Sequence, residues 1–215
     1  MEYLNVIKSA LIAYPAILML ALIPFIIYEI KERKILELLD IVAYSMFVLY
    51  LTCAFFLVIL PLPENPQVFQ ISELTKHIQW MPFMFIRDIL KDLVIDWKAP
   101  LSYLNFFKQD ASIQMAFNLI MFMPLGIFLK YWLGMDLKKV LCIGFLTSLF
   151  FEITQLTGLY GIFNPYRLFD IDDLMVNTSG ALVGYHLANW FEVNVISFKA
   201  IAWHYFRSKK ELIRN

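Results

Sequence analysis

Five stretches of this chain are each long and apolar enough to cross a bilayer, and they leave few alternatives to a bundle of membrane helices. A span needs about 20 apolar residues, because the hydrocarbon core is about 30 Å thick and a helix rises about 1.5 Å per residue. Residues 9–30, 40–62, 111–133, 139–159 and 173–191 reach that length. Helices are the expected form, since backbone groups in lipid must be satisfied within their own segment. Pro15 and Pro24 fall in the first stretch and can kink a membrane helix without preventing its insertion. No short hydrophobic core ends in a small-residue cleavage site, so this stretch reads as retained rather than as a removed signal peptide. The fold class expected is an all-α polytopic membrane protein with about five transmembrane helices. At 60% hydrophobic and 17% charged residues, the chain lacks the polar surface of a soluble domain.

The balance of 18 basic against 18 acidic residues, with no basic tract interleaved with aromatics, gives no reason to expect a nucleic-acid partner. Cys53 and Cys142 each sit in an apolar run and suggest neither a disulfide framework nor a metal site. Four regions follow. Residues 1–62 form an N-terminal two-helix segment and 63–110 an extracytoplasmic segment. Residues 111–191 form a three-helix core, and 192–215 a cytoplasmic amphipathic tail that could also extend the last span. Within the second region, 78–90 is apolar and aromatic but too short to span, which predicts an interfacial or re-entrant segment. Lys31, Arg33 and Lys34, then Lys130, Lys138 and Lys139, then Arg207, Lys209, Lys210 and Arg214 mark the short basic loops and the tail. The positive-inside rule puts these on the cytoplasmic face, with the N-terminus, the 63–110 segment and the 160–172 turn outside. Trp132, Trp190 and Trp203 then suit the inner headgroup belt, and Trp80 and Trp97 the outer one.

Against this apolar background, Glu152, Gln155, Arg167, Asp170, Asp172, Asp173 and Asn177 stand out. A carboxylate at the centre of a membrane helix costs about 2.5 to 3.5 kcal/mol on insertion scales, so it usually faces protein or water and marks a site. Ser148, Glu152 and Gln155 fall within a sector of about 60° on one face of the fourth stretch, as do Asp173, Asn177, Gly180 and Gly184 on the fifth. The short turn between these stretches makes them antiparallel neighbours whose polar faces can meet in the outer leaflet. Glu152, Asp170 and Asp173 are the candidates for acid–base work. Asn118, Gln155, Arg167, Asn177 and Gln79 are the candidates for binding. Asp172 and Asp173 open the fifth stretch, where Asp172 is expected to cap that helix and Asp173 to point into the site. Arg167 can pair with Asp170 or Glu152, either within a site or as an ion-pair network that fixes the turn. Gly180 and Gly184 form a small-xxx-small pair suited to close helix packing, and Pro124 can bend the third stretch. No histidine lies at ligand spacing beside the carboxylates, so neither a metal nor a cofactor is expected.

Taken in order, several motifs resemble the VanZ-like family of bacterial membrane proteins. They are Met81-Pro82-Phe83, the run from Asn118 to Gly126, Glu152-Ile153-Thr154-Gln155, and Arg167-Leu168-Phe169-Asp170-Ile171-Asp172-Asp173. Asn177-Thr178-Ser179-Gly180-Ala181 and Gly184-Tyr185 complete the set. The resemblance covers roughly residues 78–190. Two positions depart from the family pattern. Gln79 stands where asparagine usually precedes the Pro-Phe pair, and Tyr166 stands where glycine usually precedes the arginine. Gln79 keeps an amide, whereas Tyr166 alters the turn. The family's founding member is associated with resistance to the lipoglycopeptide teicoplanin. The resemblance therefore implies a multi-pass protein of the bacterial plasma membrane that contributes to glycopeptide resistance. Its partners would be membrane lipids and a lipid-linked cell-wall precursor or lipoglycopeptide.

Three readings stay open at this point. One is a binding protein with an outward-facing polar pocket. Another is a membrane-embedded acid–base enzyme acting on a lipid-linked envelope substrate, with Glu152 as general acid or base and Arg167 holding an anionic headgroup. The third is a small lipid flippase or transporter. Ser148 has no histidine at a motif spacing and no Gly-rich phosphate cradle occurs, which disfavours hydrolase and nucleotide-driven readings.

Overall fold

A computed structural model describes residues 2–33, 38–60, 62, 74–91, 106–107 and 109–194. The expectations for the rest of the 63–110 segment, for Lys34, Trp97 and Trp203, and for the tail beyond Asn194 lie outside the described residues. The helices are α1 (Glu2–Arg33), α2 (Leu38–Ile59), α3 (Met84–Lys91), α4 (Asp110–Tyr131), α5 (Leu137–Leu156) and α6 (Ile171–Asn194). Four of them carry segments long and apolar enough to cross a membrane: Leu4–Ile27, Asp40–Ile59, Asp110–Tyr131 and Leu137–Leu156. The fold is thus the all-α membrane architecture expected. The fifth stretch is also helical, as α6, but Asn177, Thr178, Ser179, His186 and its glycines leave it less apolar than these four.

The all-helical expectation missed one feature. Ile78–Gln79 (β1) and Phe169–Asp170 (β2) pair as parallel strands, with Ile78 opposite Phe169 and Gln79 opposite Asp170. A two-residue strand has no alternation to read, so its partner, some 90 residues away, leaves no local trace in the sequence.

The chain forms two compact units, one from residues 1–94 and 147–174 and the other from 95–146 and 175–215. In the first, α1 packs along α2. The Tyr14 hydroxyl donates to the Ser45 carbonyl at 3.0 Å, and the rings of Phe25 and Tyr44 stack 4.1 Å apart. The C-terminal ends of α2 and α5 lie together, because the Gln155 side-chain amide donates to the Val58 carbonyl at 2.7 Å. The Tyr166 hydroxyl donates to the next carbonyl, Ile59, at 3.2 Å. These bonds satisfy two of the four carbonyls that the end of α2 leaves without helical partners. They also explain the tyrosine at 166: its ring reaches a helix end that a glycine could not, and burial raises the pKa of its phenol.

Past α5 the chain reverses through three consecutive left-handed residues, Gly158 (φ 57°), Leu159 (φ 57°) and Tyr160 (φ 60°). Left-handed leucine and tyrosine cost roughly 1–2 kcal/mol each, so the turn must be held by its surroundings. Thr157 Oγ1 accepts from the Tyr160 amide at 3.1 Å, and the Phe163 amide donates to the Gly158 carbonyl at 2.8 Å. A Cβ at position 158 would collide with the Phe163 carbonyl, which restricts this site to glycine.

In the second unit α4 and α6 run parallel in close contact. Gly180 lies against the Leu119 carbonyl, Gly184 against that of Met123, and Gly126 against that of Ala181. Gly144 of α5 faces the Cβ of the same alanine, which is fully buried. The small-xxx-small pair is thus used for packing, and Gly126 on α4 adds a third close approach from the other helix. At the far end Lys130 Nζ meets Glu192 Oε2 at 3.0 Å and lies 5.7 Å from the Tyr185 ring centre. Asp136 caps α5 by accepting from the Lys139 amide at 2.9 Å, and that bond holds its carboxyl below the usual value.

Candidate functional site

The polar residues of the first unit meet where β1, β2, α5 and the start of α6 converge. Ser148, Glu152 and Gln155 are all buried, as one face of a single helix requires. Glu152 is only 3% exposed and sits about one turn before the end of α5 at Leu156. Its Oε2 accepts from the backbone amide of Asp170 at 3.0 Å. The Asp170 carboxylate in turn accepts at Oδ1 from two donors, the Asp172 amide at 2.8 Å and the Gln79 side-chain amide at 3.3 Å. Gln79 also exchanges hydrogen bonds with the backbone of Met81, so its amide is fixed between the strand and the following turn. Trp80 closes over this strand pair, with its ring 5.7 Å from that of Phe169.

Asp170 and Asp172 divide the capping work in a way their spacing does not announce. Asp170 is the residue before α6 and accepts from its second helical amide, so it is the cap of its own helix. Asp172 caps another helix altogether. Its Oδ1 accepts from the Phe83 amide at 2.6 Å and its Oδ2 from the Phe85 amide at 3.1 Å, both at the start of α3. The sequence suggests Asp172 as the cap of the helix it opens, but Asp170 takes that role, and the helix that Asp172 caps lies 87 residues away along the chain. Phe83 takes a left-handed φ of 65° to present its amide.

The remaining candidates divide between the two units. Asp173 and Arg167 act on Glu152 through their charges, as Asp170 does. Arg167 is exposed, and none of the ion pairs within 4 Å seen among the described residues (Arg87–Asp88, Lys130–Glu192 and Lys139–Asp136) includes it. The buried ion-pair network centred on Arg167 is therefore replaced by amide-to-carboxylate bonds, which avoid the desolvation cost of a guanidinium. Gln155 spends its amide on Val58. Asn118, half-buried on α4, and Asn177, buried on α6, belong to the second unit. Among the described residues no three His, Cys, Asp or Glu side chains converge to hold a metal ion. Sequence reasoning missed the Phe83 and Phe85 amides, because backbone donors have no sequence signature.

Burial raises the pKa of Asp170, and the charge of Asp172 adds to this, while the bonds from the Asp172 amide and Gln79 oppose it. Folding therefore tightens proton binding at Asp170. Its contribution to stability is fully present below the unfolded value, near 3.8, and is lost as pH rises through the higher folded pKa. Asp170→Asn keeps an acceptor for the Asp172 amide but cannot ionise. Thermal unfolding in detergent across this window should show the variant losing less stability than wild type as pH rises. Parallel pH profiles for the two proteins would show that Asp170 does not titrate differently on folding.

No curated protein and no solved structure matches this chain. The family model described as VanZ/LLP1 matches residues 47–192. That interval holds the end of α2, the β1–α3 segment, all of α4 and α5, and α6 to within two residues of its end, so every group that builds the cluster falls inside it. By this match over more than half its length, the chain belongs to the VanZ/LLP1 family.

Proposed function

We propose that this protein works in the plasma membrane of a bacterium and contributes to resistance against lipoglycopeptides of the teicoplanin type. In this reading the polar site around Glu152 faces outward and binds a lipid-linked ligand, a cell-wall precursor or the drug's own lipid tail. The observation that carries the proposal is membership of the VanZ/LLP1 family, over an interval that includes the whole cluster. Two further features support it. A carboxylate buried in a helix apolar enough to span a membrane is costly enough to call for a purpose. The ends of α2 and α5 also lie together, and basic residues sit before α2, at Lys31 and Arg33, and in the first turn of α5, at Lys138 and Lys139, a charge pattern that supports an outward cluster end for both.

The test is drug susceptibility in a sensitive Gram-positive host expressing the chain, with Glu152→Gln at matched membrane levels. Glutamine keeps an oxygen for the Asp170 amide, so the fold survives while the ionisable group is lost. Wild type should raise the teicoplanin threshold and Glu152→Gln should not. Equal protection by both would reduce Glu152 to a structural hydrogen-bond acceptor. No protection by wild type would overturn the resistance reading itself.

A further inference from the structure

Helix α3 presents more apolar surface than the described residues cover. At about 100° per residue, Phe85, Ile86, Ile89 and Leu90 fill a sector of about 140°, and Met84, Arg87, Asp88 and Lys91 the opposite side. Only part of that sector is packed: Ile89 is 5% exposed, whereas Ile86 and Leu90 are 45% and 62% exposed, and Phe83 just before the helix is 53% exposed. The uncovered edge is the one that borders the two cations. Phe83, Ile86, Arg87, Leu90 and Lys91 line a shallow groove of about 610 Å³. Trp80 and Met81, just before the helix, are 66% and 65% exposed.

The height of this surface is also fixed. The Asp172 carboxylate holds the start of α3, and β1 pairs with β2. β2 in turn donates its Asp170 amide to Glu152, near the C-terminal end of α5. Gln155 ties that end of α5 to the end of α2, and both helices are apolar enough to span. The groove therefore sits at the level where two spans finish. That is where an amphipathic helix with cations beside its apolar face meets lipid.

We propose that α3 is an interfacial helix that binds the anionic phospholipids of the surrounding bilayer. Phe83, Ile86 and Leu90 enter the acyl region while Arg87 and Lys91 contact headgroup phosphates. The nearby acid does not forbid this. Asp88 lies 3.5 Å from Arg87, but both side chains are more than half exposed, and so open a pair holds the guanidinium only weakly. This contact does not depend on the resistance reading, because it concerns the bulk lipid around the protein rather than a ligand of the Glu152 site.

The experiment uses the full chain in nanodiscs of phosphatidylcholine with and without phosphatidylglycerol. A nitroxide is placed at Leu90→Cys, with Cys53 and Cys142 replaced by alanine. With phosphatidylglycerol present, the label should be accessible to oxygen and shielded from a water-soluble nickel complex. A label open to nickel, or shielded from both, would overturn the proposal, the latter because protein then covers the face. The second arm counts lipids retained by the detergent-purified chain under native mass spectrometry. Arg87→Gln with Lys91→Gln alters exposed side chains only, and preference for phosphatidylglycerol over phosphatidylcholine should fall roughly fivefold for each cation removed. An unchanged preference would show that these cations do not hold the headgroup and would equally overturn the proposal.

Discussion

Gly180→Leu is expected to abolish accumulation of folded protein, and even Gly180→Ala to lower its stability by about 2 kcal/mol. Helix propensity alone argues the other way, since alanine is favoured over glycine by about 1 kcal/mol inside a helix. Packing decides the sign. A Cβ at 180 would meet the Leu119 carbonyl and come within 3.0 Å of the Phe122 Cβ. A carbonyl in the middle of α4 cannot swing aside as a side chain can, so the two helices must separate. Overpacking of this kind costs typically 1–3 kcal/mol and more when backbone is the obstacle. Association of helices in lipid rests on such close packing rather than on a hydrophobic drive. Gly134→Ala is the control. Gly134 has a left-handed φ of 61° but nothing within 4 Å of its added Cβ. That change should cost only the backbone penalty, about 1 kcal/mol. Thermal midpoints in detergent, with membrane levels, rank the variants. A Gly180→Ala protein as stable as wild type would show that α4 and α6 do not approach as described.

What the sequence discloses and what it hides divide along a physical line. The helices were legible because hydropathy and period are local properties: α1, α2, α4 and α5 lie where the apolar runs put them. The common face of Ser148, Glu152 and Gln155 was legible for the same reason, and all three are buried. The spacing of the glycine pair marks a packing device but does not name its partner, the α4 backbone. Long-range partners were the part that stayed hidden. Helical position groups Gln155 with the carboxylates, yet it bonds a carbonyl at the end of α2. Charge and proximity in sequence match Arg167 with the acids, yet Asp170, Asp172 and Glu152 accept from backbone amides. Every residue carries such an amide, so nothing in a sequence distinguishes the donors that matter. The β1–β2 pair is the limiting case, being two residues long and closed only by tertiary contacts.

The same reliance on backbone donors makes Asp172 the residue whose loss should be felt most in the outer segment. Asp172→Ala and Asp172→Asn are both expected to release α3 locally while leaving the α4–α6 packing in place. An eight-residue helix is too short to hold itself together in isolation, so α3 depends on what anchors it. The amides of Phe83, just before the helix, and of Phe85, its second residue, both end on one carboxylate, which is 3% exposed. Hydrogen bonds to a charged acceptor are worth about 1.5–3 kcal/mol each, and the Phe83 backbone at a φ of 65° adds strain that this acceptor must restrain. Asparagine is no rescue. It offers one oxygen where two are used, and its NH2 would face the second amide donor. With about 3 kcal/mol lost, amide hydrogen exchange over residues 83–91 should accelerate on the order of a hundredfold in either variant. Exchange in α4 should stay at the wild-type rate, because that helix is held by the Gly180 and Gly184 contacts. If exchange in 83–91 matched wild type in Asp172→Asn, one oxygen would suffice and the two-pronged cap would not be what fixes α3. If α4 loosened as well, the anchoring of the outer segment and the stability of the core would be a single cooperative event rather than two.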